Sequence, residues 1–335
     1  MRKLKIGFIG AGYISQVCHL PFFLNNKNCE ITAIIEKNKS LLHKVANKFK
    51  VKNRLEDYKD IVKKELNLDA VVICVNKFLS SELSSFFIRN KITVFSEKPI
   101  AINLNSAKKL DHLTKRYNTA LITGFMKRHD YGSKIVKKLI QTKKLGNIKI
   151  IQYDSFMGDS FPKKYDYFKY RKPYVKVNLN KLLNSKIKDK QMYVNFLNNH
   201  SHGINLIRYY LGDKNKFYID KVDLKKNIIY LKFKNCKIQF NYGYSKKGKW
   251  NEKIQIYLKN GKITQIFPAP QLRNKSSEVM VSFLNGNKSK KFFKNLWSFK
   301  IQADTFIDDI IKKKSNICQI NKCLDDMRLI EKFFI

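Results

Sequence analysis

Short apolar runs alternate with helical spacings over residues 1–123. Leu4-Lys5-Ile6-Gly7-Phe8-Ile9 reads as a strand, followed by a glycine turn and a helical stretch from Tyr13. Ile31-Thr32-Ala33-Ile34-Ile35, rich in β-branched residues, predicts a second strand, and Leu42, Val45 and Phe49 give the stretch from Leu41 to Phe49 helical spacing. Ala70 to Val75 is a continuous apolar run, as a strand covered on both faces requires. Further strands are predicted at Ile92–Phe95 and Ala120–Thr123, separated by the helical pattern Ala107, Leu110, Leu113. This is βαβ logic and predicts an α/β domain with a doubly wound parallel sheet over 1–123.

After Gly124 the period changes. A helix over about Tyr131–Lys143 leads into a strand at Ile148–Tyr153. Strand patterns follow at Ile228–Phe233, and Ile238, Phe240, Tyr242 and Tyr244 fall on one face. Ile254, Ile256 and Leu258 precede Asn260-Gly261, a hairpin signal. Residues 124–335 are therefore expected to form an α+β domain with an open, largely antiparallel sheet, serving substrate binding and oligomerisation. Helices from Gln302 to Lys312 and from Asn321 close the chain, and Pro162–Lys190, Lys- and Tyr-rich without a period, reads as a loop or lid.

Composition narrows the class. The 335 residues suit two domains, and 44% hydrophobic with 13% aromatic residues excludes a disordered chain. No apolar run approaches the roughly 20 residues a membrane helix needs. Residues Met1 to Ile6 lack a signal-peptide apolar region, so a soluble cytoplasmic protein is expected. The six cysteines form no CxxC pair and are read as reduced thiols; Cys318 and Cys323 lack a second ligand pair for a metal.

The net charge is +42. It is spread in short pairs such as Lys108-Lys109 and Lys137-Lys138 rather than gathered in an arm or one helix, and no nucleic-acid-reading motif accompanies it. Lys, Asn, Ile, Phe and Tyr are abundant together, the pattern of AT-rich codons, so nucleic acid is not the expected partner. A field this positive nevertheless attracts small anionic ligands.

Gly10-Ala11-Gly12-Tyr13-Ile14-Ser15 follows a strand and opens a helix. The first glycine permits the tight turn, the second admits a pyrophosphate to the backbone, and the helix N-terminus offers free N–H groups. Ser15 stands where Gly or Ala is usual. Glu36, ending the next strand, is placed to accept hydrogen bonds from ribose hydroxyls and to repel a 2′-phosphate, which favours NAD; Lys37 and Lys39 beside it leave NADP open. Around these, Ala11, Tyr13, Ile14, Val75, Asn76, Glu97 and Lys98 are counted with Gly10, Gly12 and Glu36 as cofactor contacts. Glu97-Lys98-Pro99 follows a strand end, where ligands sit in open α/β sheets; Lys98 there either shares a substrate proton or is a surface turn, and Pro99 allows a cis bond. His200 and His202 are the close histidine pair; a zinc site would need further ligands that the neighbourhood lacks. His202 and Asn205 share a helical face.

Together these residues resemble the Gfo/Idh/MocA oxidoreductases over almost the whole chain. The marks are Ile9-Gly10-Ala11-Gly12-Tyr13-Ile14 with His19-Leu20-Pro21, then Val72-Ile73-Cys74 and Val94-Phe95-Ser96-Glu97-Lys98-Pro99-Ile100-Ala101. Next come Gly124-Phe125-Met126-Lys127-Arg128, Ser201-His202 with Leu211-Gly212, and Phe306-Ile307-Asp308-Asp309-Ile310. The resemblance implies a Rossmann domain plus an open-sheet substrate domain, and hydride transfer between nicotinamide and a carbinol carbon of a sugar, inositol or sugar nucleotide. It implies that Lys98 assists proton transfer and that His202 stands at the catalytic histidine position, with Asn198, Asn205 and Arg128 positioning substrate.

The chain departs from the family pattern in three places. Asn198 stands where the family often has Asp, and an amide orients a hydroxyl without taking its proton, so that task falls to His202 or Lys98. His200 and Asn205 replace a frequent Gly and Asp, and Asn76-Lys77-Phe78-Leu79-Ser80 replaces a segment that often shows two prolines and a histidine. The expectation is an NAD(P)-dependent dehydrogenase or reductase without a metal, acting on an uncharged or anionic polyol as a homo-oligomer. A glycosidase that keeps and recycles NAD, and a cofactor-binding sensor or scaffold, are the alternatives.

Overall fold

The computed structural model describes residues 2–161, 163–170, 177–213, 216–246, 248–284, 290–312 and 320–335, with Asn321 and Lys322 described by backbone alone. Cys318 and part of the expected 162–190 loop lie outside them. Two compact units emerge: Met1–Phe125 with Tyr165–Asn198 and Gln302–Ile335, and Met126–Lys164 with Asn199–Ile301.

The first unit is built on a parallel sheet of β1 (Leu4–Ile9), β2 (Cys29–Ile35), β3 (Asn53–Leu55), β4 (Ala70–Ile73), β5 (Thr93–Ser96) and β6 (Leu121–Thr123). Their spatial order, β3-β2-β1-β4-β5-β6, is that of a Rossmann fold, with the order reversing between β1 and β4. The apolar run at β4 is buried at every position, as a strand between two helical layers demands. Ala107, Leu110 and Leu113 are the buried face of the helix Leu104–Tyr117, as their spacing predicts. That helix is capped by the Asn103 side chain, which accepts from the Ser106 N–H at 2.7 Å.

Although the second domain was expected to start at Gly124, contacts return residues 165–198 and 302–335 to the first unit. The cause is apolar burial: Ala303, Phe306 and Ile307, from the helix Ser298–Ile311, pack in the same core as Phe8, Phe23 and Phe95. The helix Ile320–Lys332 lies against Leu104–Tyr117.

The second unit carries β7 (Ile148–Met157), β8 (Tyr218–Asp223), β9 (Ile228–Phe233), β10 (Cys236–Tyr244), β11 (Asn251–Leu258), β12 (Gly261–Phe267), β13 (Glu278–Phe283) and β14 (Lys290–Phe292). All described pairings are antiparallel except β7 with β10. Ile151, Tyr153, Ile238, Phe240, Ile254, Ile256 and Ile263 are buried, while Ile150, Ile266 and Met280 on the other face are exposed. The hairpin at Asn260-Gly261 is displaced by one residue. Leu258 pairs with Gly261, so Lys259-Asn260 makes the turn. Gly261 instead serves a close approach, since a Cβ there would stand 2.5 Å from the Ser282 carbonyl oxygen of β13. Among the described residues, no helix is long and apolar enough to cross a membrane.

Candidate functional site

The loop after β1 and the turns after β2, β4 and β5 bring the predicted cofactor residues to the carboxyl end of the parallel sheet. Gly10 has φ +89°, and a Cβ there would stand 2.4 Å from the Cys74 carbonyl oxygen, so both conformation and space require glycine. Gly12 differs: a Cβ there would meet nothing within 4 Å. Its face is open, which is the fit a close-lying pyrophosphate needs.

Helix follows from Tyr13 to Leu24, passing through a π-turn at Ser15–His19. The unusual Ser15 is accommodated because its hydroxyl donates to the Gly10 carbonyl, tying the helix back to the loop. Gln16 continues this, donating to the Ala11 carbonyl at 2.8 Å.

Glu36 is fixed from two sides. One carboxylate oxygen accepts from the Ala11 N–H and the other from the Asn38 N–H, each at 3.0 Å. Val75 lies beside Gly10, its Cγ1 3.1 Å from the position of a Gly10 Cβ. Asn76 is exposed and turns the chain, its side-chain oxygen accepting from the Phe78 N–H.

The turn after β5 carries Glu97, Lys98 and a cis Lys98–Pro99 bond. Glu97 Oε1 lies 2.8 Å from His19 Nε2, and Oε2 accepts from the Lys98 N–H. Gly124 makes room for this carboxylate, since a Cβ there would stand 3.1 Å from Oε1. Lys98 Nζ donates to the Asn198 backbone carbonyl at 2.6 Å, so the amide that replaces the usual aspartate holds the lysine through its main chain.

In the second unit, His202 lies in the first turn of the helix Ser201–Leu211 and is half-buried. Gly203 brings that turn onto the sheet: a Cβ there would stand 2.5 Å from the Phe240 ring. His200 is buried, with Nδ1 3.0 Å from the Ser155 hydroxyl. Arg128 and Asn205 meet inside this unit. Arg128 is 0% exposed; its Nε donates to Asn205 Oδ1 at 2.6 Å and its two terminal nitrogens form a fork on the Asp213 carboxylate. Both side chains brace the His202 helix from within.

Sequence reasoning passed over the neighbours of Arg128. Lys127, Arg128, His129 and Asp130 are all buried. Lys127 pairs with Glu252, which also accepts from the Tyr153 hydroxyl at 2.6 Å. Burial lowers the Lys127 pKa and pushes His129 down to about 3; it lifts that of Asp130, which caps the next helix at Ser133 and receives the Ser277 N–H and hydroxyl. Four consecutive titratable residues look like a solvated run. The Asp130–Ser133 capping spacing was the available signal. Among the described residues, no group of three His, Cys, Asp or Glu side chains is placed to hold a metal ion.

Residues 4–125 match the oxidoreductase family with an NAD-binding Rossmann fold, Gfo/Idh/MocA. The match spans the first unit's parallel sheet and leaves the rest of the chain unmatched. Myo-inositol 2-dehydrogenase of Thermotoga maritima is 27% identical over 166 residues, covering 50% of this chain and 48% of the relative. Inositol 2-dehydrogenase of Rhizobium meliloti is 24% identical over 152 residues, 45% of each chain. The chain's matches thus span about half the length of these relatives. The likeness of fold runs further. A dehydrogenase from Clostridium difficile superposes with TM-score 0.76 at 17% identity, covering 99% of this chain and 98% of the other. A 3-ketoreductase from Actinomadura kijaniata, solved with NADP and TDP-benzene, gives 0.73 at 15% identity, covering 98% and 96%.

Proposed function

We propose that the chain is an NAD(P)-dependent oxidoreductase acting on a CH–OH or carbonyl carbon of a sugar, inositol or sugar-nucleotide-like substrate. The observation that carries this reading is the open face of Gly12 between a positive-φ Gly10 and an anchored Glu36, on the same strand ends as Lys98. The names of the relatives, inositol dehydrogenases and a ketoreductase solved with a TDP ligand, support the substrate class. The +42 charge suits an anionic substrate.

The bound dinucleotide supplies the hydride acceptor or donor, and the protein aligns and handles protons. Gly10, Ala11, Gly12, Tyr13 and Ile14 receive the pyrophosphate at a helix start. Glu36, held toward the loop, meets the ribose hydroxyls, so NAD is preferred to NADP. Val75, Asn76 and Glu97 border the nicotinamide half. Lys98, held by the Asn198 carbonyl, gives its proton to a substrate oxygen on reduction and receives one on oxidation. His202 is proposed as a further proton-handling residue on the resemblance alone. Asn198 reaches the site through Lys98, and Arg128 and Asn205 act by holding the His202 helix. Self-association through the sheet face bearing Ile150, Ile266 and Met280 and a cytoplasmic setting complete the reading.

The test is a titration with NADH and NADPH, then a screen of inositols and TDP-sugars followed by dihydronicotinamide absorbance. Lys98→Ala should keep NADH affinity within about threefold and lower turnover about 100-fold or more. Turnover surviving Lys98→Ala would remove Lys98 from the chemistry; absence of dinucleotide binding would remove the whole reading.

A further inference from the structure

The segment Tyr165–Tyr170, which the sequence left as an unexplained loop, is built against the glycine loop. Gln16 makes both backbone bonds of a strand-like pairing with Phe168: its Oε1 accepts from the Phe168 N–H at 2.8 Å and its Nε2 donates to the Phe168 carbonyl at 3.1 Å. The same Nε2 donates to Ala11, the middle residue of the loop. Gln16 is 3% exposed, so these bonds are shielded from water.

Three further contacts fix the segment. Tyr167 packs edge-on against Tyr13, ring centroids 4.7 Å apart. Lys48 bonds Asp166 and lies over the Phe168 ring. Phe168 and Tyr170 pack against the Rossmann core. Tyr170 also lies within the field of Glu36; burial first, and that charge second, raise its hydroxyl pKa. The segment thus packs on the start of the phosphate-loop helix at Tyr13, while Tyr170 lies near enough to Glu36 to feel its charge.

We propose that Tyr165–Tyr170 is a second wall of the dinucleotide site, locked by Gln16, and that it slows release of the bound cofactor. This rests on the reading above that the chain binds NAD(P). A wall ordered before the ligand arrives costs little ordering entropy on binding, and the ligand leaves only when the wall moves; such motions often set turnover in enzymes with covered sites. Its anchor is the side chain one residue beyond the fingerprint, and the fingerprint therefore does not reveal it.

The test preloads the full chain with NADH, chases with excess NAD, and follows the loss of bound-NADH fluorescence by stopped flow. Gln16→Ala removes the lock and Tyr167→Ala removes the ring against Tyr13. Each is expected to speed NADH release about tenfold or more, with a smaller change in the rate of association. Tyr167 is only half-buried, so Tyr167→Ala stands as the deciding variant if Gln16→Ala does not fold. Wild-type release rates in folded variants would overturn the wall while leaving the cofactor reading intact. A wild-type chain that binds neither NADH nor NADPH would overturn both.

Discussion

His19 Nε2 and Glu97 Oε1 lie 2.8 Å apart and join the helix after the glycine loop to the turn that carries Lys98. His19 is 0% exposed and ends the π-turn at Ser15–His19. Because Glu97 also takes the Lys98 N–H, the pair sets the backbone from which the lysine extends. His19→Phe keeps an aromatic ring and deletes the bond. It should lower stability in urea by about 1 kcal/mol, the cost of leaving one oxygen of a partly buried carboxylate without its partner. Turnover should fall more than NADH affinity does. Gly124→Ala, which crowds the same carboxylate, should move both quantities in the same direction. Unchanged turnover in both variants would show that the pair does not position Lys98.

The two glycines of the loop should behave oppositely when each is changed to alanine. Gly10→Ala places a Cβ 2.4 Å from a backbone oxygen at φ +89°, so stability should fall by roughly 2 kcal/mol or more, with dinucleotide binding lost. Gly12→Ala meets no protein atom within 4 Å and should leave the melting temperature unchanged or slightly higher. Its methyl group would occupy the space assigned to the pyrophosphate, and NADH affinity should drop about 100-fold. Thermal melts beside NADH titrations separate the two. Normal NADH binding by Gly12→Ala would mean that the open face is not the phosphate seat.

Arg128→Lys tests whether this side chain braces the fold from within. A lysine cannot reproduce the fork on Asp213 together with the bond to Asn205. A loss of roughly 3 kcal/mol in urea is expected, as for other broken buried pairs. Affinity for any substrate found in the screen should change only in proportion to the folded fraction. A selective loss of substrate affinity with stability intact would instead put Arg128 in contact with substrate.

What the chain disclosed by pattern follows from the range of the interactions involved. The β4 run Ala70–Ile73 and the Gly10–Gly12 loop are local signals, a continuous apolar stretch and a turn at a fixed offset, and both were legible. Glu36 was legible as an acid at a strand end, but not the two N–H groups that aim it, because one comes from the loop it faces. The burial of Lys127, Arg128 and Asp130 was not legible, because partners such as Glu252, Asp213, Asn205 and Ser277 arrive from between 77 and 147 residues away. Gln16 was invisible for the same reason: its partner Phe168 is 152 residues distant and bonds through its backbone, which carries no side-chain signature.

His129 gives the chain a pH dependence with a definite sign. Burial, with the Lys134 and Arg128 charges adding to it, lowers its pKa from 6.5 to about 3 in the folded chain. Between those values the unfolded chain binds a proton that the folded chain refuses. Stability therefore rises with pH across this window: the contribution is fully present above 6.5 and is lost as pH falls toward 3. Each unit within the window is worth about 1.4 kcal/mol from this one group. His129→Phe removes the titration while keeping an aromatic ring in the buried site. Between pH 6 and 4.5 the wild type should lose about 2 kcal/mol more stability than the variant, read from urea midpoints at each pH. Parallel acid limbs for the two proteins would mean that His129 already carries its proton in the fold.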